Sequence, residues 1–230
     1  MLTLIIDADD TLWENQLNFN NFTEFFKNLL TEFNIPEYDG LQTLEHFDSI
    51  SYSNNEFGNV YYKESMKKTL AKFGFDSEEI HNRIDNKHDE IFNHAPLLFD
   101  GVKETLEYIK EKNVILYILT KGYYPVQMTK IELSGIDEIF DGFIVTTRKN
   151  REVYENLIIK YKLDKQNTYM VGNSPKSDIL PALEAGLNAV YIPSKFLWEL
   201  ENCNIPESNS NYFKLDNFSK LKDFVDDKLC

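Results

Sequence analysis

Short, unbroken apolar runs punctuate this chain. Leu2 to Ile6 is the first, stopped abruptly by acids; Val114 to Leu119 (VILYIL) repeats its character, and Phe143 to Val145, Tyr169 to Val171 and Ala189 to Ile192 follow. Runs this short and continuous predict strands buried on both faces, as in a parallel sheet. Between the later runs, apolar residues recur at threes and fours: Leu106, Tyr108 and Ile109; Met128, Ile131 and Leu133; Tyr154, Leu157, Ile158 and Tyr161; Leu180, Leu183 and Ala185. The alternation predicts an α/β fold, a doubly wound parallel sheet covered by helices, with its ligand site beyond the carboxyl ends of the strands.

Residues 15–95 break the alternation, because they hold helical patterns and no convincing strand. They predict an all-helical subdomain inserted into a core formed by residues 1–14 and 96–230. Its first helix carries Phe22, Phe25, Phe26, Leu29, Leu30 and Phe33 and ends near Ile35-Pro36. A later helix is expected to start at Asp76, with Glu79 completing a capping box, and to run through Ile80, Ile84 and Ile91. Ser51 to Tyr62 (SYSNNEFGNVYY) reads as a polar and aromatic loop pivoting at Gly58, and residues 52–62 are the candidate for substrate contact. Past about Pro193 the pattern weakens, with an edge strand and a closing helix expected within Phe213 to Val225.

Composition narrows the function. With 42% hydrophobic and 14% aromatic residues over 230 positions, the chain has enough apolar surface to order a core. Lys and Arg total 24 against 38 Asp and Glu, and the net charge of −14 repels nucleic acids and anionic membrane surfaces. A small phosphorylated substrate is compatible with that field only where a metal ion or local cations reverse it. Cys203 and Cys230 are too few for a disulfide framework and are expected to be free thiols. No export signal or spanning run is visible, so the expected compartment is the cytoplasm; a monomer or homodimer is expected, with nothing in the sequence to choose between them. His46, His81, His88 and His94 all fall in the inserted subdomain; His81 and His88, seven apart, could share a helix face but, lacking a third ligand, are read as solvated.

Four strand ends carry candidate chemistry. After the first strand comes Asp7-Ala8-Asp9-Asp10-Thr11, in which two carboxylates two residues apart suit a nucleophile or metal ligand and a proton carrier. Thr120-Lys121-Gly122 follows VILYIL and precedes a helix starting near Tyr124, so a hydroxyl and backbone N–H groups there would hold a phosphate oxygen. Lys149, within TTRKNR, follows the third run and would neutralise both a phosphate and a carboxylate. Gly172-Asn173-Ser174-Pro175-Lys176-Ser177-Asp178 follows the fourth run with oxygen donors for a hard cation such as Mg²⁺. Each element alone has an ordinary explanation: a solvated turn, a helix cap at Thr120 or Ser177, a surface lysine. A doubly wound sheet brings all four to one crevice, which independent turns have no reason to share.

With these motifs the chain resembles the haloacid dehalogenase superfamily, whose first motif Asp-x-Asp-x-Thr is matched by Asp7, Asp9 and Thr11. Thr120 corresponds to its second motif, Lys149 to its third, and Gly172-Asn173 through Asp178 to its fourth, in the family's order. The resemblance implies a Rossmann-like core with a mobile helical cap between the first and second motifs, and a phosphatase-like activity. Asp7 would attack phosphorus to give an aspartyl phosphate, and Asp9 would protonate the leaving alcohol and then activate water. Thr120, Lys121 and Gly122 would bind the phosphoryl group, Lys149 would position Asp7, and Mg²⁺ would be held by Asp7, the backbone carbonyl of Asp9 and the Asn173 region, with Asp178 joining directly or through water. Two departures stand out: Asn173 occupies a position that is generally Asp, and Asp10 one that is often Gly, for which an outward-pointing side chain without a role is expected. On the same fold, a 2-haloacid dehalogenase, a phosphomutase and a non-catalytic phospho-binding module remain alternatives.

Overall fold

The structure, a computed structural model, describes residues 1–54, 56, 58–195, 201–205 and 208–229. The chain divides into two compact units, one of Met1–Gln16 with Pro96–Cys230, the other of Leu17–Ala95.

The first unit is built on a six-stranded parallel sheet. Its strands are β1 (Thr3–Ile6), β2 (Ile115–Lys121), β3 (Gly142–Thr146), β4 (Thr168–Gly172), β5 (Asn188–Tyr191) and β6 (Tyr212–Lys214), in the order β3-β2-β1-β4-β5-β6. Its helices among the described residues include α5 (Val102–Glu111), α6 (Tyr124–Leu133), α7 (Arg151–Tyr161), α8 (Leu180–Glu184) and α9 (Leu221–Leu229), numbered after the four of the second unit. β1 and β4 are buried along their whole length, which is why their sequences read as unbroken apolar runs. Successive residues of β1 feed different cores: Leu4 and Ile6 join one cluster with Leu116, Ile118 and Val171, while Ile5 joins another with Leu119, Tyr154 and Met170. The sheet is therefore covered on both faces, as a Rossmann-like α/β core requires. From β1 the chain winds out to β2 and β3, then returns to the other side for β4, β5 and β6, so the topological switch point lies beside β1.

The second unit holds α1 (Gln16–Glu32), α2 (Glu37–Ser53), α3 (Asn59–Lys72) and α4 (Glu78–Phe92), with α1 beginning one residue before the unit boundary. It has its own core, in which Phe22, Phe26, Leu30, Met66, Leu70 and Ile84 are fully buried, and Phe33 stacks on Phe75 with ring centroids 4.4 Å apart. Three local readings change. The stretch 51–62 is largely helix, because α2 runs on through Ser53 and α3 begins at Asn59; Gly58, with φ of 100°, sits where α3 starts, and Asn55 and Phe57 lie outside the described residues. The cap of α4 is Ser77, whose side chain accepts from Ile80 N at 3.3 Å, so Asp76 and Glu79 form no capping box. His88 is buried rather than solvated, set against Phe22 and Phe92, with its basicity lowered by burial despite a 3.0 Å contact between Nδ1 and Asp89. Cys203 is a free, partly buried thiol, and Cys230 falls outside the described residues.

Candidate active site at the switch point

Ile6, the last residue of β1, pairs with Ile118 of β2 and Val171 of β4, and the next backbone N–H, that of Asp7, donates to Val171 O at 2.9 Å. The position after Ile6 is thus pinned between the ends of two neighbouring strands, beneath the crevice that the switch point opens. Asp7 is 6% exposed. Lys149 Nζ donates to its Oδ1 and, at 2.8 Å, to Asp178 Oδ1. Thr11 Oγ lies 3.0 Å from Asp7 Oδ2 and 3.2 Å from Asn173 Oδ1, between the two acceptors. Asp7, Lys149, Asn173 and Asp178, drawn from three strand ends, therefore form one buried cluster.

One cation serves two carboxylates there, and ionisation reflects it. Burial and the nearby Asp178 raise the Asp7 carboxyl to about 7, more than Lys149 can offset. Burial opposes the charge on Lys149, but Asp178 and Asp7 outweigh it and hold the ammonium protonated above its ordinary range. Gly172 makes the arrangement possible, since a Cβ at that position would lie 2.3 Å from Asp178 Oδ2.

The second acid is set differently. Asp9 Oδ1 accepts from Trp13 Nε1 at 2.7 Å and Lys130 Nζ at 2.8 Å; Oδ2 accepts from Gln127 Nε2 and Lys130 Nζ, each at 3.1 Å. Burial favours its neutral form, yet Lys130 and the two neutral donors prevail and hold Asp9 below the usual carboxylate range. Lys130 also donates to Asn15 Oδ1 at 2.8 Å. Trp13, Gln127 and Lys130 were not foreseen as site residues. The one local signal was the i, i+3 spacing of Gln127 and Lys130, which puts both on one face of α6.

Several expectations change at this level. Asp10 does not point outward without a role: it adopts φ of 59°, a region open to Asp, and its Oδ1 accepts from Asn15 N and Gln16 N, each at 3.0 Å. These N–H groups lie at the start of α1, so the carboxylate acts as a cap. Thr120 and Lys121 belong to β2, paired with Val145 and Thr146, rather than following it. Lys121 Nζ pairs with Glu201 at 2.5 Å, and the Gly122 N–H donates to Thr146 O at 3.0 Å, so neither group is free for a phosphate as expected. Thr120 differs: it is 1% exposed and its Oγ1 has no hydrogen-bond partner among the described residues. The cap of the turn after Asn173 is Ser174, whose Oγ accepts from Ser177 N at 2.9 Å, rather than Ser177 itself.

The donor set fits a hard divalent cation. The Asp7 carboxylate and the Asn173 amide oxygen converge on the Thr11 hydroxyl, and all three present oxygen. Asp178, expected among the ligands, accepts from Lys149 and, at 2.9 Å, from the Ser174 N–H, so in this arrangement it also braces the lysine. Asp9 has its carboxylate occupied by α6 and Trp13, which is compatible with the backbone-carbonyl ligand that the resemblance implies.

A doubly wound sheet with a carboxylate–lysine–carboxylate cluster at its switch point defines a Rossmann-like α/β protein with polar chemistry at its strand ends. The chain belongs to the haloacid dehalogenase-like hydrolases, whose family model matches residues 1–186. It is 26% identical over 132 residues to the glyceraldehyde 3-phosphate phosphatase of Methanothermobacter thermautotrophicus, a match covering 55% of this chain and 58% of that protein. To the pyrimidine 5'-nucleotidase YjjG of Escherichia coli it is 22% identical over 82% of this chain and 84% of the relative. A crystal structure of a haloacid dehalogenase-like family hydrolase from Xanthomonas campestris superposes with a TM-score of 0.82 at 20% identity, covering 99% of this chain and 95% of that one. The chain is thus a hydrolase of this family, with phosphatases among its relatives. No described helix is long and apolar enough to cross a membrane.

Proposed function

We propose that this hydrolase is a Mg²⁺-dependent phosphatase of small phosphorylated metabolites, acting through a phosphoryl group carried on Asp7. The observation that carries the reading is the buried pairing of Asp7 with Lys149 beside oxygens of Asn173 and Thr11. Buried carboxylates with a raised pKa and a specific charge partner cluster at reacting centres, which supports the reading beside the geometry. Bound by Asp7, Asn173 and the Asp9 carbonyl, Mg²⁺ would supply positive charge against which a phosphate ester could enter an acidic protein.

The residues divide the work. Asp7 forms the new P–O bond as the ester P–O bond breaks, and the departing alkoxide takes a proton from Asp9. Asp9 is held as an ionised carboxylate, so it must exchange its contacts with Lys130 and Gln127 for a proton before it can act as the acid. Having given up the proton, it is the base that takes one from the water that attacks phosphorus and frees Asp7. The unpartnered hydroxyl of Thr120 donates to a phosphoryl oxygen, and Lys149 keeps Asp7 aligned. The helical unit is read as the cap that selects substrate, and the cytoplasm as the site of action.

The test is a screen of phosphate monoesters with Mg²⁺, comparing wild type with Asp7→Asn. Hydrolysis by the wild type and at least a ~10³-fold loss in Asp7→Asn are expected, since the amide is a poor nucleophile at phosphorus. Equal activity in a correctly folded Asp7→Asn would overturn the assignment.

A further inference from the structure

Glu201 lies beyond the residues that the family model matches, yet it reaches two of the strand ends that form the site. Its Oε1 accepts from Lys121 Nζ at 2.5 Å, and its Oε2 accepts from Ser174 Oγ at 2.6 Å and from Ser177 Oγ. Burial would keep this carboxyl neutral, but Lys121 and the two serines hold it down to about 2. The carboxylate is partly buried, with a side chain 13% exposed, and Lys121 is 20% exposed. The ion pair is therefore screened less than a surface pair.

Where these partners lie gives the contact its consequence. Lys121 ends β2 and directly follows Thr120; Ser174 directly follows Asn173, past the end of β4. In the sheet, β2 and β4 are not neighbours, because β1 runs between them. Their ends are roughly 10 Å apart at normal strand spacing, and the strand between them is the one that delivers Asp7. The Ser174 residue that Glu201 grips also donates its N–H to Asp178, which braces Lys149. Glu201 is thus linked through Ser174, Asp178 and Lys149 to Asp7 on one side, and through Lys121 to the Thr120 position on the other.

We propose that Glu201 is a positioning residue, a strap tying the phosphate-binding end of β2 to the loop after β4 and fixing both about the nucleophile. The inference rests on the phosphatase reading. It also assigns the Lys121 ammonium to the strap rather than to the substrate. Breaking either end should loosen the hold on the phosphoryl group while the sheet, which Glu201 does not build, stays intact.

The experiment is a double-mutant cycle of Glu201→Gln and Lys121→Met, measured with p-nitrophenyl phosphate and Mg²⁺ alongside competitive inhibition by inorganic phosphate and thermal melting. Each single variant should lose about tenfold in kcat and bind inorganic phosphate several-fold more weakly. The double variant should be no worse than the poorer single, because a strap cut at both ends is cut once. A purely structural brace would lower the melting midpoint while leaving kcat per folded molecule and phosphate inhibition unchanged, and that result overturns the proposal. So do multiplying losses, which would mean that Lys121 and Glu201 act separately. Should Glu201→Gln not fold, Lys121→Met interrogates the same strap from its other end. A wild type that hydrolyses no phosphate ester would defeat the phosphatase reading instead; inorganic phosphate binding by calorimetry to wild type and Glu201→Gln then decides the strap alone, with equal affinities refuting it.

Discussion

Asp7 and Asp9 stand two residues apart on one turn, each contacting a lysine, and ionise in opposite directions. The Asp7 side divides one buried lysine between two carboxylates; its carboxyl is pushed up to about 7, by burial first and Asp178 second. On the other side, Asp9 has Lys130 across both oxygens, with Trp13 and Gln127 added, and stays below the ordinary range although burial opposes it. The lesson is that donors per carboxylate decide the outcome, and the mere presence of a lysine does not. A carboxylate short of partners is ready to take an electrophile or a cation. One whose lone pairs are filled is held in reserve.

Substitutions at the two lysines should separate these regions most widely. Lys149→Met strands two buried carboxylates, and removing one partner of a buried charge cluster typically costs about 3–5 kcal/mol. Activity should fall by more than ~10³-fold and the melting midpoint should drop, whereas Lys130→Met, at a partly exposed carboxylate with two other donors, should lose only ~10-fold. Steady-state kinetics on both variants tests the ranking, and equal losses would erase the distinction.

A smaller effect sharpens the same contrast through stability. The folded Asp7 carboxyl is raised from 3.8 to about 7, so its burial costs progressively more as pH rises through that window, and Asp7→Asn should relieve the cost. Asp9 is lowered from 3.8, so its contribution is present above that value and is lost as pH falls below it. In chelator at about pH 8, Asp7→Asn should therefore melt a few degrees above wild type, for a change on the order of 1–3 kcal/mol, and Asp9→Asn should melt below it. Near pH 4 the Asp7→Asn advantage should vanish. Melting curves across this range give the signs directly, and shifts of the same sign would show that the two environments do not differ as described.

Much of the core was legible because its strands are continuous apolar runs that end in polar clusters. Leu2 to Ile6 could be little else, and Tyr169 to Val171 came within one residue of β4 at each end. Polar residues that still pair in a ladder hid the true end of β2, which includes Thr120 and Lys121. At the start of α4 the adjacent Asp76 and Ser77 could each have capped, as could Ser174 and Ser177, three residues apart, after β4, and local pattern cannot choose between them. Within the site, Asp7, Asn173, Asp178 and Lys149 were each found from adjacency to a strand end. Lys130, Gln127 and Glu201 were not, since they reach the cluster from a helix flank and from a segment distant in sequence, and the shared helix face of Gln127 and Lys130 does not by itself say what that face meets.

The central claim is that Asp7 carries the phosphoryl group. Mass spectrometry of acid-quenched Asp9→Asn, mixed with Mg²⁺ and a phosphate ester that the wild type hydrolyses, tests it most directly, because loss of the base should let the covalent species accumulate. The account predicts a phosphoryl adduct on the peptide containing Asp7 that is absent from Asp7→Asn. An adduct on any other residue, or ester cleavage at wild-type speed with no adduct at all, would contradict it.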